Sequence, residues 1–427
     1  MTDLAEADFF SDPAISQSPY EYWDRMRELG PVTREPHYGV VAVTGYQEVM
    51  AAFKDHESFS AVNAIGGPFP PLPFTPEGDD ISAQIEAHRH LFPIHEHMVV
   101  MDPPAHEKAR SLLSKLLTPR RLKENEDYMW RLVDSQIDQF IDNGRCEFLS
   151  EYAKPFATSA IIDLLGVPEE DRPEFLAALG AERPDGNRVG ALDGEPVGLD
   201  PLKYLDDKFL GYLTERRRAP REDVLSGMAA AKYPDGSTPE LIELVKPATF
   251  LFAAGQETVT KLLSAAVQTL GDRPEFQQLL RDEPDRIPAF IEEAVRMHSP
   301  TKVDFRLVRK STTLGGVSLP AGTIVMLCLG AANRDPRKFE DPHVFRPDRK
   351  NVREHIAFGR GIHTCAGAPL ARVEAQITVR RLLDRMSDIR IDTSVHGAIG
   401  ARNYFYEPTF LLRGLTELHI EFTPAAG

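Results

Sequence analysis

Cys365 is the side chain whose surroundings point most directly to chemistry. It lies in the segment FGRGIHTCAGAPLA, ahead of a predicted helix that opens with Ala368 and Pro369. A thiol at a helix N-terminus meets free N–H groups and the positive end of the helix dipole, which lower its pKa and stabilise a thiolate. Three glycines bracket this cysteine and let the backbone approach a bulky group closely: Gly359, Gly361 and Gly367. The sequence therefore predicts that Cys365 ligates a metal.

The other cysteines and the histidine-rich stretch offer no competing metal site. Cys146 and Cys328 lie in apolar or mixed patterns and are predicted to be buried, inert thiols. Four histidines in the Pro- and Gly-rich stretch 61–100 lack zinc-site spacing and are predicted to be solvated side chains of a long irregular loop: His88, His90, His95 and His97. One thiolate cannot close a tetrahedral zinc site, but it can be the single axial protein ligand of a haem iron.

The cysteine segment resembles the haem-binding signature of the cytochromes P450, FGxGxHxCxG. All six fixed positions match: Phe358, Gly359, Gly361, His363, Cys365 and Gly367. The resemblance implies that the chain binds haem b (iron protoporphyrin IX) with Cys365 as the iron ligand. It also implies that Phe358, Gly359, His363 and Gly367 contact the cofactor.

A second group of reactive side chains falls in the middle of the longest predicted helix. Residues Ala254–Thr258 resemble the family's (A/G)GxxT segment with an acid, Glu257, before the threonine. A hydroxyl there can hydrogen-bond dioxygen, and an adjacent carboxylate can relay protons inward. Taken alone, such a pair is more often a local helix hydrogen bond. Together with Cys365, the resemblance implies catalytic roles for Glu257 and Thr258, contact of Ala254 with the cofactor, and O2 as the oxidant.

Glu293 and Arg296, in IEEAVRMHSP, match the family's ExxR motif. They lie on the polar side of the predicted helix, where Glu292 is an alternative partner for Arg296 at i,i+4. Alone, such a pair would be an exposed salt bridge worth about a few tenths of a kcal/mol. The resemblance implies instead that a later segment covers this face and that Arg349 completes a structural Glu-Arg-Arg network.

A haem carries two propionates, which need cationic or hydrogen-bonding partners. His106 and Arg110 are four residues apart on one predicted helix, Arg306 follows Asp304 in a predicted strand, and His363 lies two residues before Cys365. These four positions match propionate-holding residues of similar P450s. The resemblance therefore implies that His106, Arg110, Arg306 and His363 contact the cofactor, with Asp304 as an acceptor behind Arg306.

The elements that position these residues are predicted to be mainly helical, with a small β region. A capping box at Ser237 and Glu240 is expected to start the long central helix, with Pro247 and Gly255 distorting it. Asp102 is expected to cap another helix that runs to about Leu122. The other predicted helices are 46–55, 124–143, 148–166, 170–179, 201–218, 221–232, 273–283, 285–298 and 366–386. Strands are predicted at 39–45, 303–330 and 404–423, and a loop at 180–200.

Composition bounds the class of protein. The chain has 427 residues, 42% hydrophobic content, three cysteines and a net charge of −16, which exclude a disulfide scaffold and disfavour a nucleic-acid binder. An acidic N-terminus and charged residues within 248–270 predict no secretory signal and no membrane span, so a cytoplasmic protein is expected. With no linker or repeat, one domain covering 1–427 is the simplest organisation.

The resemblance covers essentially the whole chain and implies the cytochrome P450 fold, with haem buried between the central helix and the cysteine-loop helix. The implied activity is that of a haem-thiolate monooxygenase that inserts one atom of O2 into a hydrophobic small molecule such as a terpenoid, steroid, fatty acid or aromatic. An iron–sulfur ferredoxin with its NAD(P)H-dependent reductase would supply electrons to a monomer. The alternatives are a haem-thiolate peroxygenase or isomerase, and a haem-binding sensor without turnover.

One surface feature bears on the electron donor. Segment 106–123 carries six Lys and Arg residues against Glu107, a local charge of +5 in an acidic chain. In related P450s this helix lies on the cysteine side of the haem. The charge therefore favours docking of an acidic ferredoxin there.

Overall fold

The computed structural model describes residues 7–177 and 202–425, and the predicted loop at 180–200 lies outside them. Helices dominate this part of the chain. The α-helices are α1 (Pro13–Gln17), α2 (Tyr20–Leu29), α3 (Tyr46–Lys54), α4 (Ser82–His88), α5 (Ala105–Leu116), α6 (Pro119–Ile137), α7 (Lys154–Leu165), α8 (Arg172–Ala177), α9 (Lys203–Arg218), α10 (Val224–Ala229), α11 (Leu241–Asp272), α12 (Pro274–Asp282), α13 (Ile287–His298), α14 (Leu329–Ala332), α15 (Ala368–Arg385) and α16 (Thr393–His396). The predicted, mainly helical class is confirmed.

Helix α11 is the axis of the fold. Its 32 residues span about 48 Å, and α7, α9, α13 and α15 pack around it. Its apolar residues face every direction, which explains why most of its length is buried. Pro247 and Gly255 do not interrupt it. Gly255 instead allows α7 to approach, because a Cβ at this position would lie 2.8 Å from Ile161 Cδ1.

The predicted start of α11 is wrong by one turn. The helix begins at Leu241 with Glu240 as the N-cap, and the capping box joins Glu240 to Glu243. Ser237 precedes the helix and hydrogen-bonds Asp235. The box that forms therefore pairs two glutamates, Glu240 and Glu243, in place of the predicted Ser237 and Glu240.

The single helix predicted from Asp102 to Leu122 is two helices. α5 ends at Leu116, and α6 begins at Pro119 with Thr118 as its cap. Thr118 Oγ1 accepts the N–H of Arg121, which is the usual N-cap bond and makes a new helix start. Asp102 caps neither helix, because its carboxylate accepts from Ser60 Oγ and the Ala61 N–H.

The small sheets join distant parts of the sequence. The strands are β1 (Val32–Arg34), β2 (Val41–Val43), β3 (Phe59–Ser60), β4 (Arg145–Glu147), β5 (Asp304–Val308), β6 (Thr312–Leu314), β7 (Val317–Leu319), β8 (Ile324–Leu327), β9 (Arg390–Ile391) and β10 (His419–Glu421). The largest sheet has the order β1-β2-β8-β5-β3, with β2 and β8 parallel and the other pairs antiparallel. A second sheet, β4-β10-β9, covers one end of α11 at Gly271.

Two predicted regions differ from the structure. The stretch 61–100, expected to be irregular, contains α4 and two short 3-10 turns. The predicted strands at 404–423 reduce to β10 and isolated bridges such as Tyr406 to Leu415. Among the described residues, no helix is long and apolar enough to cross a membrane.

Candidate active site

The cysteine loop, residues 358–367, is a tight turn held against the end of α3. The Cys365 N–H donates to the Phe358 carbonyl at 2.8 Å, which closes the loop on itself. Gly359 and Gly361 have φ values of +65° and +71°. A Cβ on Gly361 would lie 2.3 Å from the carbonyl oxygen of Phe53, so only glycine fits this backbone approach.

The Cys365 thiol faces an accessible space although protein surrounds it. At the start of α15 the N–H groups of Gly367 and Ala368 act to lower the pKa of this thiol, as predicted for a helix N-terminus. Burial nevertheless raises the pKa of the thiol, so the predicted lowering is wrong for the protein alone. The side chain is still solvent-exposed. A Cβ on Gly367 would meet only this sulfur, at 3.9 Å, which leaves room for a planar group.

Two of the predicted propionate partners are in direct contact with each other. The ring centres of His106 and His363 lie 4.3 Å apart. His106 is buried, and neither of its ring nitrogens has a hydrogen-bond partner in the part of the chain that the structure describes. Burial and the charge of Arg110 lower its pKa.

The two arginines of this group add positive charge beside the histidines. Arg306 is buried and bonds Asp304 Oδ1 at 2.8 Å. The Arg110 guanidinium has no hydrogen bond or ion pair within residues 7–177 and 202–425. Burial, followed by the charge of Arg306, lowers the pKa of His363 to about 2. The cluster therefore has more cationic and donor groups than the protein's own acids satisfy.

The predicted dioxygen-activating pair lies in an unbroken part of α11. Thr258 Oγ1 donates to the Ala254 carbonyl at 2.8 Å, and both residues are partly accessible. The Glu257 side chain is 47% exposed and binds Lys261 at 2.7 Å. Lys261, which was not predicted, is buried and also binds Glu407 at 2.7 Å. Its i,i+4 spacing from Glu257 is a signal that could have found it.

The comparisons with known proteins point to one family. Residues 203–387 match the family model described as Cytochrome P450. The biotin biosynthesis cytochrome P450 of Bacillus subtilis (strain 168) is 31% identical over 412 residues, which cover 95% of this chain and 96% of that protein.

The chain belongs to the cytochrome P450 family.

Solved P450 structures are similar throughout. Substrate-free CYP150A6 of Mycobacterium marinum has a TM-score of 0.93 and 59% identity, covering 99% of this chain and 100% of that one. CYP109E1 of Bacillus megaterium in complex with corticosterone has a TM-score of 0.78 and 28% identity, covering 95% and 98%. The fold is thus the cytochrome P450 fold, and the chain is a haem-dependent P450 monooxygenase that uses O2 and takes electrons from redox partners.

The residues present fit a haem. The accessible thiol of Cys365 provides one soft ligand, and Gly367 leaves space beside it. The unpartnered nitrogens of His106 and the guanidinium of Arg110 suit the two carboxylates of the cofactor. When bound, the haem supplies dioxygen binding and activation.

The Glu-Arg-Arg network of this P450 is buried, as the resemblance implied. Glu293 and Arg296 are fully buried and form a bidentate pair with both distances at 2.8 Å. Arg349 Nε reaches Glu293 Oε1 at 3.2 Å. Arg296 also donates to the carbonyls of Asn333 and Pro342, so the pair locks the segment leading to the cysteine loop.

Glu292, which sequence reasoning considered as a partner of Arg296, binds elsewhere. Its carboxylate accepts from His355 Nε2 at 2.8 Å and from Arg372 Nη2 at 3.1 Å. Burial raises the pKa of Glu292, but the hydrogen bonds from His355 and Arg372 outweigh it and lower the pKa to about 2. Both partners lie more than 60 positions away, so helical spacing could not have found them.

A cavity of about 310 Å³ opens between α5, the first turns of α11 and the loop before α5, and its lining includes neither Cys365 nor Thr258. Its apolar lining comes from α5, α11 and the loop before α5, and includes Met98, Met101, Ala105, Ala109, Leu112 and Pro247. Lys246 on its wall is paired with Glu96 at 2.9 Å and Asp206 at 2.5 Å. The cavity wall therefore combines apolar surface with a cation that acids already neutralise.

Proposed function

We propose that this P450 hydroxylates a hydrophobic small molecule with O2, with Cys365 as the axial ligand of haem b and Glu257 and Thr258 as the groups that deliver protons. The observation that carries the proposal is the Thr258 hydroxyl, held at the partly accessible centre of α11 by the Ala254 carbonyl, with Glu257 beside it. The hydroxyl has one proton, so it donates to an oxygen ligand by releasing the Ala254 carbonyl, and a carboxylate can then replace the proton.

His106, Arg110, Arg306 and His363 are proposed to bind the propionates. The N–H groups of Gly367 and Ala368 hold the sulfur negative charge in place. Phe358, Gly359 and Gly367 shape the cofactor-facing side of the cysteine loop. Ala254 contacts the opposite face from α11.

The proposal of a hydrophobic substrate is supported by the apolar part of the lining of the cavity between α5 and α11, Met98, Met101 and Leu112 among it. A ligand carboxylate would find Lys246 already paired with Asp206 and Glu96, so a neutral or weakly polar compound is favoured. Steroids belong to this class, and the similar CYP109E1 was crystallised with corticosterone. A titration with steroids, terpenoids and fatty acids, followed by the shift of the Soret band, tests the class.

Electrons are proposed to come from an iron–sulfur ferredoxin served by an NAD(P)H-dependent reductase. The exposed cations of α5 provide a surface for an acidic donor. Within α6, however, Arg120 and Arg121 bind Glu124, and Lys123 binds Glu126 and Asp127. The +5 counted over 106–123 is therefore largely neutralised beyond α5, which limits the proposed docking surface.

Thr258→Ala tests the proton-delivery role. We expect the product formed per electron consumed to fall about tenfold or more while O2 consumption continues, since a positioned acid–base group typically contributes about 10²- to 10⁴-fold. Thr260→Ala is the matched control, since Thr260 makes the same bond to the Gln256 carbonyl but is buried. Unchanged coupling in Thr258→Ala with O2 would contradict the proposal and favour the peroxygenase alternative.

The proposed iron ligand is tested by Cys365→His. We expect this variant to lose the red-shifted absorption band of the reduced carbon monoxide complex, and a band that persists would contradict the assignment of Cys365.

A further inference from the structure

We propose that Arg372 is a positioning residue that sets the electrostatic environment of the cysteine ligand. It would hold the Phe358 end of the cysteine loop and raise the reduction potential of the bound iron. This inference rests on the proposed role of Cys365 as the ligand.

The position of Arg372 is fixed from one side by a buried anion. It lies one turn inside α15, and its Nε and Nη2 atoms bind Glu292 Oε1 and Oε2 at 2.5 and 3.1 Å. Glu292 is buried on α13 and is held independently by His355 Nε2 at 2.8 Å. Two fixed hydrogen bonds leave the guanidinium plane little freedom to move.

The other side of Arg372 faces the cysteine loop. The guanidinium carbon lies 4.6 Å from the centre of the Phe358 ring, within the distance of a cation–π contact. The His355 ring lies 5.7 Å from the same Phe358 ring. The Phe358 carbonyl accepts the Cys365 N–H, so contacts that fix the position of this phenylalanine also fix the loop that carries the ligand.

The charge of Arg372 also lies close to the ligand along the chain. Cys365 precedes α15 by three residues and is hydrogen-bonded to the Phe358 carbonyl, and Arg372 lies one turn inside that helix, over the Phe358 ring. A positive charge that favours the thiolate also favours the reduced, more negative state of the iron site. Arg372 is 31% exposed, so solvent screens this effect only in part.

Three substitutions in the haem-loaded enzyme separate charge from position. In Arg372→Gln we expect the ratio of reduced to oxidised enzyme at a fixed potential to fall about three- to tenfold; a tenfold change corresponds to about 59 mV downward. Arg372→Lys keeps the charge but loses the bidentate and stacking geometry. It should keep the potential near that of the wild type, while the red-shifted band of the reduced CO complex decays faster.

Glu292→Gln removes the anion and leaves the cation, so the potential should shift upward, opposite in sign to Arg372→Gln. Arg380→Gln is the matched control, because Arg380 lies on the same helix but pairs with Asp384 on the surface. A potential unchanged in both Arg372→Gln and Glu292→Gln, or shifts of the same sign, would overturn the inference. So would a potential in Arg372→Lys that falls as far as in Arg372→Gln.

A failure of the proposed role of Cys365 can be distinguished from a failure of the role of Arg372. If Cys365 were not the ligand, the wild-type enzyme itself would lack the red-shifted reduced CO band. If the band is present and the potentials do not move, only the role of Arg372 is wrong. If Arg372→Gln fails to fold, two measurements still test the role of Arg372. They are the upward shift of the reduction potential in Glu292→Gln and the decay rate of the reduced CO band in Arg372→Lys.

Discussion

Glu374 is a carboxyl group that the fold buries without a partner. It lies on α15 with no accessible surface, and neither of its oxygens is hydrogen-bonded. The nearby hydroxyls of Tyr152 and Thr378 bond each other at 2.9 Å instead. Burial holds the pKa of Glu374 well above its usual range. The folded protein therefore keeps this group neutral at a pH where the unfolded chain ionises it.

Glu374→Gln should remove a pH-dependent loss of stability. Because the folded pKa is raised, wild-type stability is fully present below the unfolded pKa and is lost as the pH rises towards the folded pKa, by about 1.4 kcal/mol per pH unit. The melting temperature of Glu374→Gln, measured from pH 5 to 8, should rise relative to the wild type as the pH increases. Glu170→Gln, at an exposed site, is the control. Parallel curves for wild type and Glu374→Gln would contradict the prediction.

At the same scale, sequence reasoning found residues whose motif is local and missed those whose partner is distant. Cys365 and Thr258 were found because their neighbours in the chain define the chemistry. The bond from Arg372 to Glu292 joins two helices 80 positions apart, and Lys261 meets Glu407 across the molecule. Helical spacing indicates which face a side chain lies on. It does not indicate what covers that face, which explains why Glu293 and Arg296 looked exposed from their helix alone.

At the scale of elements, the cysteine loop depends on glycine for two separable reasons. Gly361 has φ +71° and also lies where a Cβ would meet a backbone oxygen at 2.3 Å. Gly39 has φ +65°, but a Cβ there would meet nothing within 4 Å. Alanine at Gly39 therefore carries only the cost of the left-handed backbone, whereas at Gly361 it must also displace the end of α3.

Gly39→Ala should cost about 1 kcal/mol, and Gly361→Ala about 3 kcal/mol or more. Thermal unfolding of the purified variants compares the two directly. The haem content after expression should fall in Gly361→Ala and stay unchanged in Gly39→Ala. Equal melting temperatures would show that α3 yields to the added methyl group and that the tight approach is not essential.

Element boundaries could be predicted only where the local sequence carried a single, unambiguous strand or helix pattern. The apolar run of 41–43 and the helical spacing of 46–54 gave β2 and α3 close to their observed limits. Around Thr118-Pro119, continuous helical periodicity hid a cap and a new helix start, so α5 and α6 were merged. Strand β4 was missed because three residues between helices carry no periodicity, and its partner β10 lies more than 270 positions later.

For the whole molecule, the sheets join the two ends of the chain. β1 and β2 pair through β8 with β5, and β4 pairs with β10, so the early and late strands share sheets. One hydrophobic cluster extends from Leu112 to Phe422. These pairings give a physical reason to expect the single domain that the sequence suggested. They could not be predicted from the sequence, because pairing between distant strands leaves no local pattern.

The charge distribution of the whole molecule leads to a last prediction, on reduction by an acidic ferredoxin. Lys115 is exposed on α5 and has no ion pair among the described residues, whereas Lys123 on α6 lies 3.4 Å from Glu126 and 3.2 Å from Asp127. Reversing the charge of Lys115 should therefore reduce attraction more than reversing that of Lys123. We expect Lys115→Glu to lower the second-order rate constant of reduction about three- to tenfold at low salt, and Lys123→Glu less than twofold.

Stopped-flow measurement across ionic strengths provides the check. The difference between wild type and Lys115→Glu should shrink as the Debye length falls from about 10 Å at 0.1 M to about 3 Å at 1 M salt. The rate of substrate turnover with a chemical reductant should stay the same in both variants, because neither position belongs to the proposed haem or substrate contacts. Equal rate constants for Lys115→Glu and the wild type at low salt would mean that the donor docks on a different surface. The basic face of α5 would then be only a solvated surface of an otherwise acidic molecule.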